Sequence, residues 1–191
     1  MAMEQTQRLL KGRVDWSKYV TGSLVGLLAA VLVYQGVGEA RLSKMVKVGE
    51  EAPLVAGLML DGKAFDFAAL RGKSVLVVDF WETTCGPCRK ELPSLVNLAR
   101  KYRDRGVVVV MANNAAGDHP AAVEQYVREL LPDRPENVQV VRADLESWDR
   151  YRVVGIPTTY FINRSGKIVE RFRGYTDEPV LRDALERALE D

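Results

Sequence analysis

Only two cysteines and one histidine occur in the 191 residues. A zinc site needs four ligands, usually drawn from Cys and His, so this chain is poorly equipped to build one. The two cysteines stand three positions apart and close almost no loop, which excludes a disulfide-stapled small fold. Charge of one sign is also missing. The 27 basic residues are offset by 26 acidic ones, net +1, so no field points to nucleic acid or to an acidic partner. Internal repeats and low-complexity tracts are absent, and 47% hydrophobic with 28% charged residues is the composition of a folded domain.

Charge is absent altogether from residues 19–38. A helix of that length spans ~30 Å, the hydrocarbon thickness of a bilayer. Trp16 and Tyr19 stand at one end and Tyr34 near the other, where interfacial aromatics are favoured. Two readings compete with a retained anchor. The apolar core of a cleaved signal peptide is normally shorter, although Gly38-Glu39-Ala40 has the small-x-small pattern of a cleavage site. A buried core helix is not usually apolar on every face. With no cysteine near its end, a lipoprotein anchor is excluded.

The order read from the sequence is a tail (1–18), a transmembrane anchor (19–38), a linker (39–47) and a folded domain (48–191). Arg8, Lys11, Arg13 and Lys18 precede the apolar run, and Arg41, Lys44 and Lys47 follow it. That small bias keeps the N-terminus cytoplasmic and puts the domain on the extracytoplasmic, periplasmic side. Gly22, Gly26 and Ala30 recur every four residues, a spacing that lets a second helix approach closely.

Within the domain, Asp61-Gly62 between apolar runs signals a hairpin over 58–65. The unbroken apolar runs 74–80 and 107–112 have the character of central strands covered on both faces. The segment between them reads as a helix from the cysteines to about Tyr102, ending in cations and Gly106. Helices are expected over 119–131, 145–151 and 177–189, the last with Val180, Leu181, Ala184, Leu185, Ala188 and Leu189 inward. A strand is expected over 137–142, and a hairpin of 158–162 with 167–172 around Asn163-Arg164-Ser165-Gly166. The fold class is α/β, a mixed sheet flanked by helices.

The chemistry lies in Cys85-Gly86-Pro87-Cys88, between a buried strand and a helix. Unpaired N–H groups and the helix dipole stabilise a thiolate at Cys85, holding its thiol below the ordinary range. Pro87 fits the first helical turn without forfeiting a hydrogen bond. Cys88, one turn on, is placed to attack a mixed disulfide on Cys85. Arg89 stands where haem attachment needs His. The lone His119 is expected at the surface, next to Pro120 at a helix start. Asp79 interrupts an apolar strand, where burial raises a carboxyl's pKa and makes it a candidate acceptor of the Cys88 proton.

Several runs carry a family resemblance over about four fifths of the chain. They are Gly49-Glu50-x-Ala52-Pro53, Asp61-Gly62-Lys63, Arg71-Gly72-Lys73, Asp79-Phe80-Trp81, Cys85-Gly86-Pro87-Cys88, Glu91-x-Pro93 and Gly155-Ile156-Pro157-Thr158-Thr159. From about Val48 onward the chain resembles the thioredoxin superfamily, and in particular the TlpA/ResA-type membrane-anchored thiol–disulfide oxidoreductases. The resemblance implies a thioredoxin-like fold and a redox-active Cys85–Cys88 disulfide with no other cofactor. It also implies a cis Ile156–Pro157 bond facing the dithiol. Trp81, Gly86, Pro87, Ile156 and Pro157 would meet the substrate, with the Ile156 backbone pairing to an extended segment.

The resemblance supports Asp79 as proton acceptor and gives Glu91 a tuning role, against the competing reading of an ordinary exposed Glu. Its implied partners are protein disulfides or dithiols, a DsbD/CcdA-type membrane electron donor and the lipid bilayer. Gly-Pro between the cysteines is the thioredoxin dipeptide, associated with a potential of about −270 mV, so reduction of protein disulfides is the expected direction. Three residues depart from the pattern. Thr84 replaces the usual Trp, Glu82 replaces a small residue, and Thr158 stands where cytochrome c maturation thioredoxins carry Glu. The last weakens a place in cytochrome c biogenesis. The alternative of a different kind is a non-enzymatic accessory subunit, docked to a membrane complex by its helix.

Overall fold

The computed structural model describes residues 25–27, 29–30 and 45–190. Most of the expected anchor, Gly22 included, lies outside the described residues; Gly26 and Ala30 are helical. Among the described residues no helix is long and apolar enough to cross a membrane. Residues 43–191 form one compact unit.

Six strands build one mixed sheet. Strands β1 (Gly57–Met59), β2 (Val75–Trp81), β3 (Val107–Asn114), β4 (Val138–Ala143), β5 (Thr158–Ile162) and β6 (Ile168–Arg173) lie in the order β1-β4-β3-β2-β5-β6. The β2–β3 and β3–β4 pairs are parallel, whereas β1, β5 and β6 pair antiparallel with their neighbours. Central β2 is buried at all seven positions, as its continuous apolar run requires.

Successive side chains of β2 point to opposite faces and divide the interior in two. Val75, Val77 and Trp81 join the layer of α1 (Gly86–Lys101), α2 (Pro120–Leu130) and α4 (Glu178–Glu190). Leu76, Val78 and Phe80 join the opposite layer with Met45, Val55, Phe67 and Tyr151, the last just after α3 (Leu145–Arg150). Asp79 shares the parity of Val77 and Trp81, so the strand aims its carboxyl toward α1.

The expected elements recur with ends shifted by a residue or two, and four local readings differ. Val180 is 45% exposed, because the buried stripe of α4 begins one residue later at Leu181. The hairpin at Asp61-Gly62 forms its turn, but its return arm is a single bridge, Leu58 to Ala64, while β1 pairs with β4. Met45 and Val46 are buried, and Arg171 Nη1 donates to both their carbonyls at 2.9 and 2.6 Å, so the domain begins before Val48. Arg100 and Lys101 occupy the last turn of α1, but Gly106 does not end it; with φ of +74° it closes the short 3-10 turn Arg103–Arg105 that follows.

Candidate active site

Strand β2 ends at Trp81, and a tight turn, Cys85 N–H to Glu82 carbonyl at 3.1 Å, delivers the chain to α1. Cys85 is the N-cap of that helix, and its Sγ accepts the Cys88 N–H at 3.1 Å. Pro87 lies in the first turn, where the missing N–H forfeits nothing. The two sulfurs are joined in a disulfide. Cys88 is sealed at 0% exposure and Cys85 reaches the surface at 9%, so an incoming group meets Cys85 first.

The Ile156–Pro157 peptide is cis. It directly precedes Thr158, whose register partner is Phe80, so it stands at the same end of the sheet as the turn leading to Cys85. Ile156 is half-buried against the layer that contains both cysteines. Gly86 and Pro87 are exposed, whereas Pro157 is buried with its carbonyl accepting from Gly174 N–H at 2.8 Å. Trp81 does not stand where a substrate would touch it. It is fully buried, its ring 4.9 Å from that of Tyr126, which in turn lies beneath the Arg89 guanidinium at 5.4 Å. Trp81 supports the site from below.

Asp79 and Glu91, on β2 and α1, are both fully buried, which corrects the reading of Glu91 as an ordinary exposed residue. Between them lies Thr159 of β5, its Oγ1 2.9 Å from Asp79 Oδ1 and 2.9 Å from Glu91 Oε1. Glu91 Oε2 accepts the Thr176 N–H at 2.6 Å. Asp79 Oδ2 is buried with no hydrogen-bond partner among the described residues. Burial pushes the Asp79 carboxyl well above the usual carboxylate range, the neighbouring Glu91 charge adds to it, and the Thr159 bond opposes both. Burial raises Glu91 as well, against the lowering effect of its bonds to Thr176 and Thr159.

The geometry leads to the same result independently. A hydroxyl carries one hydrogen, so Thr159 donates to only one of the two carboxyls. The other 2.9 Å contact is a hydrogen bond only when that carboxyl is protonated. A single proton shared by the two acids satisfies both contacts. Both carboxyls stand out in the sequence, but the bridge between them does not. Thr159 lies in the motif after Pro157, yet nothing local to it reveals contacts with residues 80 and 68 positions away. His119 is exposed and caps α2, its Nδ1 accepting the Ala121 N–H at 3.3 Å, and takes no part in the site.

The sequence model of the Redoxin family matches residues 47–189. The chain belongs to that family. Among its Redoxin relatives, the thiol–disulfide oxidoreductase ResA of Bacillus subtilis (strain 168) is 31% identical over 167 residues, 86% of this chain and 89% of ResA. ResA of Oceanobacillus iheyensis is 29% identical over 178 residues, 88% of this chain and 85% of that protein. A thiol:disulfide interchange protein of the thioredoxin family from Chlorobium tepidum TLS superposes with a TM-score of 0.64 at 26% identity. The match covers 75% of this chain and 98% of that one. This Redoxin protein is thus a TlpA/ResA-like member of the thioredoxin superfamily and a thiol–disulfide oxidoreductase.

Proposed function

We propose that the chain reduces protein disulfides on the extracytoplasmic side of a membrane, with Cys85 as attacking thiolate and Cys88 as resolving thiol. The observation that carries this reading is Cys85 itself: the N-cap of α1, the exposed partner of a buried sulfur, at the sheet end where the cis Ile156–Pro157 bond lies.

In the dithiol form, the Cys85 thiolate attacks one sulfur of a client disulfide. A Cys85–client disulfide forms, the client S–S bond breaks, and the departing client sulfur leaves as a thiolate that takes a proton from solvent. Cys88 gives its proton to the carboxylate of the Asp79–Glu91 pair, directly or through water, and attacks Cys85 Sγ. The mixed disulfide breaks, the second client thiolate leaves, and Cys85–Cys88 is oxidised as the client gains two electrons. Glu91 and Thr159 set how tightly the pair holds its proton. Ile156 offers its backbone to an extended client segment, and the exposed Gly86 and Pro87 shape the surface around Cys85.

The disulfide must then be reduced again. A membrane dithiol donor of the DsbD/CcdA type, implied by the ResA likeness, fills that role. No cofactor beyond the two sulfurs enters the scheme. Residues 19–38 would hold the enzyme at the bilayer, with Gly22, Gly26 and Ala30 as a face for a second helix.

The test is a trap. Cys88→Ala should accumulate a Cys85–client mixed disulfide on incubation with an oxidised protein such as insulin, and Cys85→Ala should accumulate none. The reading fails if the Cys88 variant forms no adduct while the wild type turns over the same substrate.

A further inference from the structure

The turn that presents Cys85 is held from outside. Thr83, two residues before the cysteine, makes both of its polar contacts to one carboxylate, that of Asp118. Its N–H donates to Oδ2 at 2.7 Å and its hydroxyl to Oδ1 at 2.6 Å. Asn113 Nδ2 adds a third donor to Oδ2 at 2.6 Å. Asp118 is only 8% exposed, and no other basic or acidic side chain pairs with it among the described residues. Glu82 is tied to the same loop, its Oε1 accepting from Asn114 Nδ2 at 2.7 Å.

That loop, between β3 and α2, is itself anchored to the sheet. Arg142 Nη2 donates to the carbonyls of Ala115 at 3.1 Å and Asp118 at 3.3 Å, and Ala115 N–H donates to the Ala143 carbonyl at 3.1 Å. A chain of contacts thus runs from β4 through Asp118 to Thr83, and from Glu82 to the Cys85 N–H.

We infer that Asp118 is a positioning residue of the thiol–disulfide reaction, a carboxylate clamp that keeps the Cys85 sulfur over the first turn of α1 once the disulfide opens. This rests on the oxidoreductase mechanism above. In the oxidised protein the covalent bond to Cys88 fixes the sulfur. In the dithiol that bond is gone, and three kinds of restraint remain on residues 82–85. They are the turn bond to Glu82, the helix-start bonds from Cys88 and Arg89 N–H, and the side-chain ties to Asp118 and Asn114. Charge-assisted bonds from backbone N–H and hydroxyl to a buried carboxylate are the strongest of these. Thiolate stabilisation at a helix N-terminus falls off within one turn, so small displacements of Sγ weaken it. The clamp also places Glu82, a departure from the family pattern, in a structural role beside the dithiol.

The experiment follows iodoacetamide alkylation of Cys85 in the reduced full chain as a function of pH, for wild type, Asp118→Asn, Thr83→Val and the double variant. Asp118→Asn keeps the shape but loses one acceptor, and should move the profile toward that of free cysteine. The rate at about pH 7 then falls ~3- to 10-fold while the plateau at high pH is unchanged. Thr83→Val should shift in the same direction by less, and the double variant no further than Asp118→Asn, because both remove one contact. If Asp118→Asn does not fold, Thr83→Val alone carries the test. Profiles that coincide with wild type overturn the inference. So does a faster rate at neutral pH, which would make Asp118 a repelling charge and no clamp. A wild-type Cys85 that is itself un-ionised near neutrality defeats the mechanism beneath, and that result is read before any variant is compared.

Discussion

Asp79 and Glu91 make the protein's stability depend on pH in a direction opposite to that of surface carboxylates. Both are raised in the folded state by burial, so the folded protein keeps a proton that the unfolded chain releases above about pH 4. Stability from this pair is fully present below that pH and is lost as pH rises through the folded-state values. Asp79→Asn removes one of the two raised acids. Urea unfolding at a series of pH values should show a flatter profile for the variant, with stability above wild type by about 1–3 kcal/mol at the alkaline end. In the proposed scheme, where Asp79 helps to accept the Cys88 proton, the same variant should resolve the mixed disulfide at least about tenfold more slowly. A variant that is less stable than wild type above neutrality would show the carboxylate to be a paired structural charge. The two cysteines and the buried acid on β2 are legible in the sequence because each announces itself locally, by a Cys-x-x-Cys spacing and by a charge in an apolar run. Pro157 stands out only through the family resemblance. Thr159 and Asp118 are not legible, because a threonine or aspartate gains its role only from partners 80 and 35 positions away.

At the scale of elements, β1 is the shortest strand and lies at the sheet edge, held by three register partners on β4. Gly57 opens it because the β4 backbone comes too close for a side chain. A Cβ there would stand 2.8 Å from the Arg142 carbonyl carbon and 2.9 Å from Ala143 Cα. Backbone atoms cannot swing aside, so Gly57→Ala should lever β1 off the sheet. A loss of about 2–4 kcal/mol is expected in urea unfolding. An unchanged midpoint would mean that this edge contributes little. Strand and helix positions were readable from periodicity because burial on one face or two imposes it, as the continuous run of β2 and the stripe of α4 show. Their partners were not. The pairing of β1 with β4, and not with a long return arm of its own hairpin, depends on a meeting of residues 57–59 with 141–143 that no local pattern encodes.

For the whole molecule, the folded unit and the apolar run at 19–38 make separable predictions. The full chain should stay with membranes through alkaline carbonate extraction, whereas a chain beginning at about residue 43 should be released yet still form the Cys85 adduct when Cys88 is replaced. Full-length protein recovered in the carbonate wash would remove the anchor from the scheme and leave the dithiol chemistry standing. The fold class was readable at this scale because alternating strand and helix patterns admit few arrangements. The beginning of the domain was harder to read, since Met45 and Val46 look like the end of a polar linker and are instead pinned by Arg171, more than a hundred residues later.

The unequal exposure of the two sulfurs also bears on survival in an oxidant. Peroxide and similar small oxidants reach a sulfur only where solvent does, and Cys88 at 0% offers no such access. Any sulfenic acid therefore forms on Cys85, within reach of the thiol one turn behind it, and condenses with loss of water to the same disulfide that turnover produces. A sulfenic acid on Cys85 is thereby offered a reversible exit through the enzyme's own disulfide.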